Sequence, residues 1–348
     1  MIQSQNNRTL IAILSITLSL SSFLSAKPMV EFGNSVEFDK AEKSLTIAGL
    51  KDKAILVVFF QSWCGICNGW APDFIKQTEK SHGSNRGVAL IALKTDGGGL
   101  SEAKSYMKSK GADPALWTIG SDKNATYYKQ VAGNDSLWGY ALVDTEGNIV
   151  KQGKAGCYKR NSNPRQYSLA SDSVLRECGT LSSRLSADKV YPPELSEVVK
   201  LTEIGCYGSA LALCSSPKLK SKFRQPVAEI NKEIIAIVDK QIIDRATILQ
   251  NKELAGPDRY DAYKELTEII KPLRSIASAR KASSLVSKSK MDPVIQKEIR
   301  AEAAYVKLMK RKQKASERDM PRINSEFKKL SKQYPGTKYG TIAAAESQ

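Results

Sequence analysis

Three patterns in the chain predict an α/β domain with a central mixed sheet flanked by helices, followed by an all-α domain of helical hairpins. The run Ile55-Leu-Val-Val-Phe-Phe60 is apolar throughout and rich in β-branched and aromatic residues, as a strand buried on both faces must be. Strand-like and helix-like stretches then alternate as far as residue 157, the order that builds a sheet with helices packed on it. From Glu194 onward a helical period takes over.

Taken in order, the first 26 residues read as a processing segment outside the fold. Arg8 gives a weakly positive start, Leu10 to Leu20 an apolar core, and Ser25-Ala26 a small-residue exit, which predicts a secretory signal cleaved near Ala26. Leu24 at the −3 position and the length of the apolar run leave an uncleaved N-terminal anchor as the alternative. Either way the chain is expected in an exported compartment, the periplasm or cell envelope, where its six cysteines can be oxidised.

Residues 27–157 form the expected first domain. A lead-in with strand-like Val36, Phe38, Leu45 and Ile47 precedes the Ile55–Phe60 strand. A helix to about Lys80 follows, then a polar loop and the strand Val88–Leu93. Gly97-Gly98-Gly99 is read as a strand-to-helix turn, since no Gly-Lys-Ser/Thr follows to make a phosphate loop. Next come a helix over Ser101–Lys110, a strand over Leu116–Gly120, and a helix over Asp122–Val131 capped by Asp122. The strand Tyr140–Val143 and the turn Asp144–Gly147 into Ile149-Val150 complete the unit. Residues 158–192 are rich in Ser, Asn and Pro and read as a connecting segment with one short helix around Ser171–Cys178.

The chemistry is concentrated in Trp63-Cys64-Gly65-Ile66-Cys67, two cysteines three positions apart where the first strand gives way to a helix. At a helix's first turn the backbone N–H groups and the positive end of the dipole favour an anion, so a thiol there loses its proton more readily. The thiolate is the nucleophile of disulfide exchange, and a second cysteine one turn on can resolve the mixed disulfide formed by the first. Cys64 is therefore the expected attacking thiolate and Cys67 the resolving thiol. The other readings of the pair are a static buried disulfide and half of a zinc site. Zinc lacks material, because the chain has no second C-x-x-C and a single histidine, His82, which is expected to be an ordinary surface residue. Neither a metal nor a cofactor is expected.

These residues resemble the W-C-G-x-C motif of thioredoxins, and Pro72, five residues past Cys67, falls where thioredoxins carry the proline that kinks the helix. The element order over about residues 50–157 resembles that of extended thioredoxin-like proteins of bacterial envelopes. The resemblance implies a thioredoxin fold, a redox-active disulfide, and exchange with protein thiols and disulfides. It also implies a substrate-contact surface made by Trp63, Gly65, Ile66, Leu137, Trp138 and Gly139. Three departures narrow it. Trp138 stands where thioredoxins place a cis-proline, so a trans bond and an altered substrate face are expected. Val58, six residues before Cys64, replaces the buried acid that helps move the resolving thiol's proton, which must then leave through water or another group. Ile66 offers the thiolate neither charge nor hydrogen bond, so the direction of electron flow stays open. Peroxidase chemistry is disfavoured by Gln61, which stands where peroxiredoxin-like sites have threonine.

Cys157, Cys178, Cys206 and Cys214 lie outside the motif and are expected to be structural, in one of three pairings. On one straight helix Cys206 and Cys214 would be ~12 Å apart, too far to bond, so they could pair only across a turn near Gly205–Gly208. Pairing with Cys157 or Cys178 would instead staple the two halves of the protein.

Residues 193–348 form the expected second domain. Glu194–Gly205 and Ser209–Leu213 read as helix, glycine turn, helix. Further helices are expected over Val227–Leu254, stopped by Gly256-Pro257, and over Tyr260–Leu273, Pro293–Arg311 and Ile323–Tyr334. Phe327 to Tyr339 resembles the helix end and turn of bacterial tetratricopeptide-like repeats, although no 34-residue period is present. Of the net +17 charge, 29 basic against 16 acidic residues fall from position 218 onward, with a run at Lys307–Lys314. An exported location and the lack of interleaved aromatics argue against nucleic acid, and leave an acidic envelope partner or an anionic surface. The bland reading is a solvated helical face. A redox-inactive thioredoxin-fold platform, whose helical domain binds an envelope partner, is the competing function.

Overall fold

The computed structural model describes residues 27–39, 45–132, 139–154 and 175–347. Among the described residues seven strands make one mixed sheet: β1 (Lys27–Pro28), β2 (Val36–Phe38), β3 (Ala54–Phe60), β4 (Val88–Lys94), β5 (Trp117–Asp122), β6 (Gly139–Val143) and β7 (Asn148–Lys154), in the spatial order β1-β7-β6-β3-β4-β5-β2. The strand with the longest apolar run, β3, is central. It pairs parallel with β4, from Ala54 opposite Val88 to Phe60 opposite Lys94, and antiparallel with β6. All seven of its residues are buried, which is why it reads as a continuous apolar run and not as an alternation.

Alternate residues of the sheet face two separate cores. Leu56, Val58 and Phe60 pack with Phe74 and Ile75 of α1 (Gly65–His82) and with Ala103, Tyr106 and Met107 of α2 (Gly99–Ser109). Ile55, Val57 and Phe59 pack with Tyr127, Tyr128 and Val131 of α3 (Thr126–Ala132), in a cluster that continues into the C-terminal helices. Asp122 ends β5, and its carboxylate accepts from the backbone N–H of Thr126 at 3.1 Å and of Tyr128 at 2.9 Å. It thus caps α3 as expected, but from the end of a strand that runs two residues further than Gly120.

The C-terminal part is helical: α4 (Ser196–Glu203), α5 (Tyr207–Cys214), α6 (Pro217–Lys222), α7 (Arg224–Gln250), α8 (Gly256–Ile270), α9 (Ala277–Ser289), α10 (Pro293–Lys312), α11 (Met320–Gln333) and α12 (Lys338–Glu346). Neighbours in sequence pack on each other, α4 on α5, α7 on α8, α8 on α9, and α10 on both α11 and α12. A separate small core of Leu308, Ile323, Phe327, Leu330 and Ala343 holds the last three together. Gly205 turns α4 into α5 at φ +84°, a conformation open to glycine, and a Cβ there would meet Arg184 Nη1 at 2.6 Å.

Several expectations are corrected. Gly256-Pro257 does not stop a helix but starts α8. Proline at a first helical turn gives up an N–H that has no intrahelical partner anyway, and α7 has already ended at Gln250. The helices α6, α9 and α12 were not anticipated; the buried residues of α9 are the small side chains Ala279 and Ala282, in a serine- and lysine-rich stretch. His82 is not a surface residue. Helix α1 extends to it, and it is 2 % exposed, lining a cavity of about 570 Å³ together with Val88, Leu90 and Leu116.

Candidate active site

Strand β3 ends at Phe60, the chain turns through Gln61, Ser62 and Trp63, and α1 begins at Gly65. Cys64 therefore sits at the entry of an 18-residue helix, with its carbonyl accepting the Asn68 N–H at 3.0 Å. This is the N-terminal position at which a thiolate is favoured. Cys64 is disulfide-bonded and only 4 % exposed, packed in the same core as Val58, Phe60, Ala71 and Phe74. Its described neighbours Trp63, 65 % exposed, and Gly65 are both exposed.

The backbone of Ile66 and Cys67 lies in the first turn of α1, but their side chains are outside the described residues. Pro72 lies within α1, which runs on to His82. Gly139 opens β6 opposite Phe59, close to the end of β3, and a Cβ there would meet Tyr128 at 3.3 Å. Leu137 and Trp138, along with Cys157, fall outside the described residues. Val58 is buried in the core that holds Cys64 and, as the sequence implied, brings no acid there.

Cys178, Cys206 and Cys214 are not disulfide-bonded, so the structural bridges expected of them do not form. All three are buried thiols. Burial pushes the Cys178 thiol up to about 11, aided by the Asp144 and Glu177 carboxylates, and burial likewise pushes Cys214 up to about 11.

A polar network that the sequence reading missed lies beneath the turn. Ser62 donates its backbone N–H to Asp96 Oδ2 at 2.8 Å, and its hydroxyl lies 2.9 Å from the same oxygen and 3.0 Å from Glu102 Oε1. Lys94, 1 % exposed at the end of β4, bridges Asp96 at 2.6 Å and Glu102 at 3.2 Å and donates to the Gly97 carbonyl at 2.5 Å. On the other side Asn68 Nδ2 donates to the Ser62 carbonyl at 3.2 Å, and Asn68 Oδ1 accepts from the Tyr106 hydroxyl at 2.6 Å. Burial opposes the charge on Asp96, but hydrogen bonds from Lys94 and Ser62 outweigh it and hold the carboxyl below its ordinary range. The only sequence signals were a lysine closing an apolar strand and the glycine triplet after it.

Residues 25–165 match the Redoxin family model. This part of the chain is thioredoxin-like. Among solved structures, the chain is similar to a thiol:disulfide interchange protein of the thioredoxin family from Chlorobium tepidum, at 20 % identity over 44 % of this chain and 96 % of that one, with a TM-score of 0.32. It is also similar to a secreted Mycobacterium tuberculosis disulfide oxidoreductase, at 16 % identity over 35 % and 81 % of the two chains and a TM-score of 0.28. Similarity to StoA from Bacillus subtilis is at 19 % identity over 34 % and 87 %, with a TM-score of 0.27. No curated protein matches the chain. Among the described residues no helix is long and apolar enough to cross a membrane, and no group of three or more His, Cys, Asp and Glu is placed to hold a metal ion.

Proposed function

We propose that the protein is an exported thiol-disulfide oxidoreductase acting on protein thiols or disulfides through Cys64 and Cys67. The observation that carries this reading is a disulfide-bonded Cys64 at the β3–α1 junction of a thioredoxin-like sheet, with the backbone of Cys67 one turn along the same helix. In the reducing direction the Cys64 thiolate attacks one sulfur of a substrate disulfide, and the other sulfur leaves as a thiolate. Cys67 then attacks Cys64 Sγ, so that the substrate sulfur bonded to Cys64 leaves as a thiolate and the Cys64–Cys67 bond forms. The two electrons given to the substrate must be restored by an external dithiol; run backwards, the same steps oxidise a substrate dithiol. Exposed Trp63 and Gly65, with Ile66, Leu137, Trp138 and Gly139, form the face that receives the substrate. Residues 1–26 direct export, residues 27–157 carry the redox chemistry, and the basic helical domain over 193–348, joined by 158–192, recruits or positions an acidic envelope partner.

The test is reduction of a protein disulfide by purified protein, with Cys64→Ser as control. Turnover is expected from the native chain and none from the variant. Equal rates would defeat the enzymatic reading in favour of a redox-inactive platform. Cys67→Ser should accumulate mixed disulfides through Cys64, and sequencing the trapped partners identifies the substrates.

A further inference from the structure

One carboxylate takes the backbone N–H of the Cys64 turn. Asp96 takes both the backbone N–H and the hydroxyl of Ser62, two residues before Cys64, and is itself fixed by Lys94. The next peptide of the turn is held by Asn68 through the Ser62 carbonyl, and Asn68 by the hydroxyl of Tyr106. The charged groups that meet here are Lys94 and Asp96 from β4 and its following loop and Glu102 from α2. Lys110, just past the end of α2, lies 3.5 Å from the Asn68 carbonyl and 5.3 Å from the Tyr106 ring centre. Lys94 is shared by two carboxylates, so these three residues carry a formal charge of −1 under the turn.

We propose that Asp96, locked by Lys94, is a positioning residue that sets the reactivity of Cys64, with Glu102 as its partner; this rests on the reading of Cys64 as the attacking thiol. Two effects follow. The network holds the turn so that Cys64 enters the helix at its N-terminus, and its residual negative charge opposes the thiolate that the helix dipole favours. The loop is built to close over the network: Gly97, Gly98 and Gly99 all have φ between +79° and +84°. A Cβ on Gly98 would collide with Glu102 and stand 3.1 Å from Lys94 Nζ.

The experiment measures, in the full chain after reduction, the rate of Cys64 alkylation by iodoacetamide against pH, read on the Cys64 peptide by mass spectrometry. The equilibrium of the Cys64 disulfide with glutathione is measured alongside. Asp96→Asn keeps an acceptor for the Ser62 N–H and removes one charge, and is expected to raise alkylation at pH 7 about three- to tenfold, the effect of a unit charge acting through a protein-surface dielectric. The glutathione equilibrium should shift by a similar factor toward the reduced form, because a stabilised thiolate stabilises the reduced protein. Glu102→Gln, at a side chain that is 49 % exposed and can be changed without disturbing a core, should move both readings in the same direction. Variants whose alkylation profile and glutathione equilibrium both match the native chain would overturn the proposal. Alkylation requires no turnover, so a native chain that fails the reductase assay would count against the enzymatic reading while leaving this measurement to decide the role of Asp96.

Discussion

The described cysteines differ by environment more than by spacing. Cys178 and Cys214 are thiols pushed up to about 11 by burial, whereas Cys64 stands at a helix entry. Their thiolate fraction at pH 7 is smaller than that of an ordinary cysteine by roughly a hundredfold or more. In the reduced, native chain, iodoacetamide should therefore modify the Cys64 peptide first and reach Cys178 and Cys214 only when denaturant opens the cores, a pattern that peptide mapping reads directly. Gly98 offers a second measurement. Gly98→Ala must adopt φ +79° and meets Glu102, so it should lower stability by about 1–3 kcal/mol in a denaturant titration. The cysteine pair was legible because strand, turn and helix start lie within a dozen consecutive residues. The Lys94–Asp96–Ser62 network was not, because it joins residues more than thirty positions apart that form no motif, and only the β3–β4 register brings them together. His82 misled for a related reason: its polar neighbours in sequence gave no hint that the last turn of α1 shares a cavity with the chain near Lys189 and Tyr191.

Strands and helices with a strong apolar period fell where the pattern placed them, as with β3, β4 and the face of α7 that buries Ile230, Ile234, Val238 and Ile242. Helix α9 was missed although its apolar residues do share a helical face, because that face is built on the small side chains Ala279 and Ala282 within a serine- and lysine-rich stretch. The segment read as a connector is more firmly held than its composition suggests. Its described part buries Leu175, Cys178 and Leu185, and it is tied to α7 through Glu233, which meets the Ser186 N–H and hydroxyl at 2.9 and 3.0 Å, Lys189 at 2.5 Å and the Tyr191 hydroxyl at 3.1 Å. Burial works against the charge on Glu233, but these donors outweigh it and bring the carboxyl down to about 2. A folded-state value below the unfolded one means the contribution is present above about 4.5 and lost as pH falls toward about 2. Glu233→Gln should accordingly be less stable than the native chain at pH 7, by about 1.5–3 kcal/mol if a charge-assisted bond is lost, and the gap should close as unfolding is followed from pH 5 down to pH 2.

The two halves of the molecule meet at a buried ion pair. Lys53, at the edge of β3 and fully buried, donates to the Arg86 carbonyl at 2.9 Å and the Ser182 carbonyl at 2.7 Å, and its third proton goes to Glu203 at the end of α4. Glu203 also accepts from the Ser183 hydroxyl at 2.7 Å and the Arg184 N–H at 2.8 Å, so sheet, connector and helices converge on one node. The apolar core beneath one face of the sheet runs on through Leu195, Val198 and Leu201 into the helical part, and in this sense the helices complete the thioredoxin-like fold as well as extending it. None of this was visible in sequence, where Lys53 and Glu203 are 150 residues apart. Burial pulls the Lys53 ammonium below its ordinary range, outweighing the opposite pull of Glu203, as expected of a pair that is costly to desolvate. Breaking one side should therefore cost far more than removing both. Lys53→Met, which strands a carboxylate in the core, is expected to lose about 3–5 kcal/mol, while Lys53→Met combined with Glu203→Leu should recover most of it. A double variant no more stable than the single one would mean that the hydrogen bonds to the Arg86 and Ser182 carbonyls, and not the charge pair, hold the helices to the sheet.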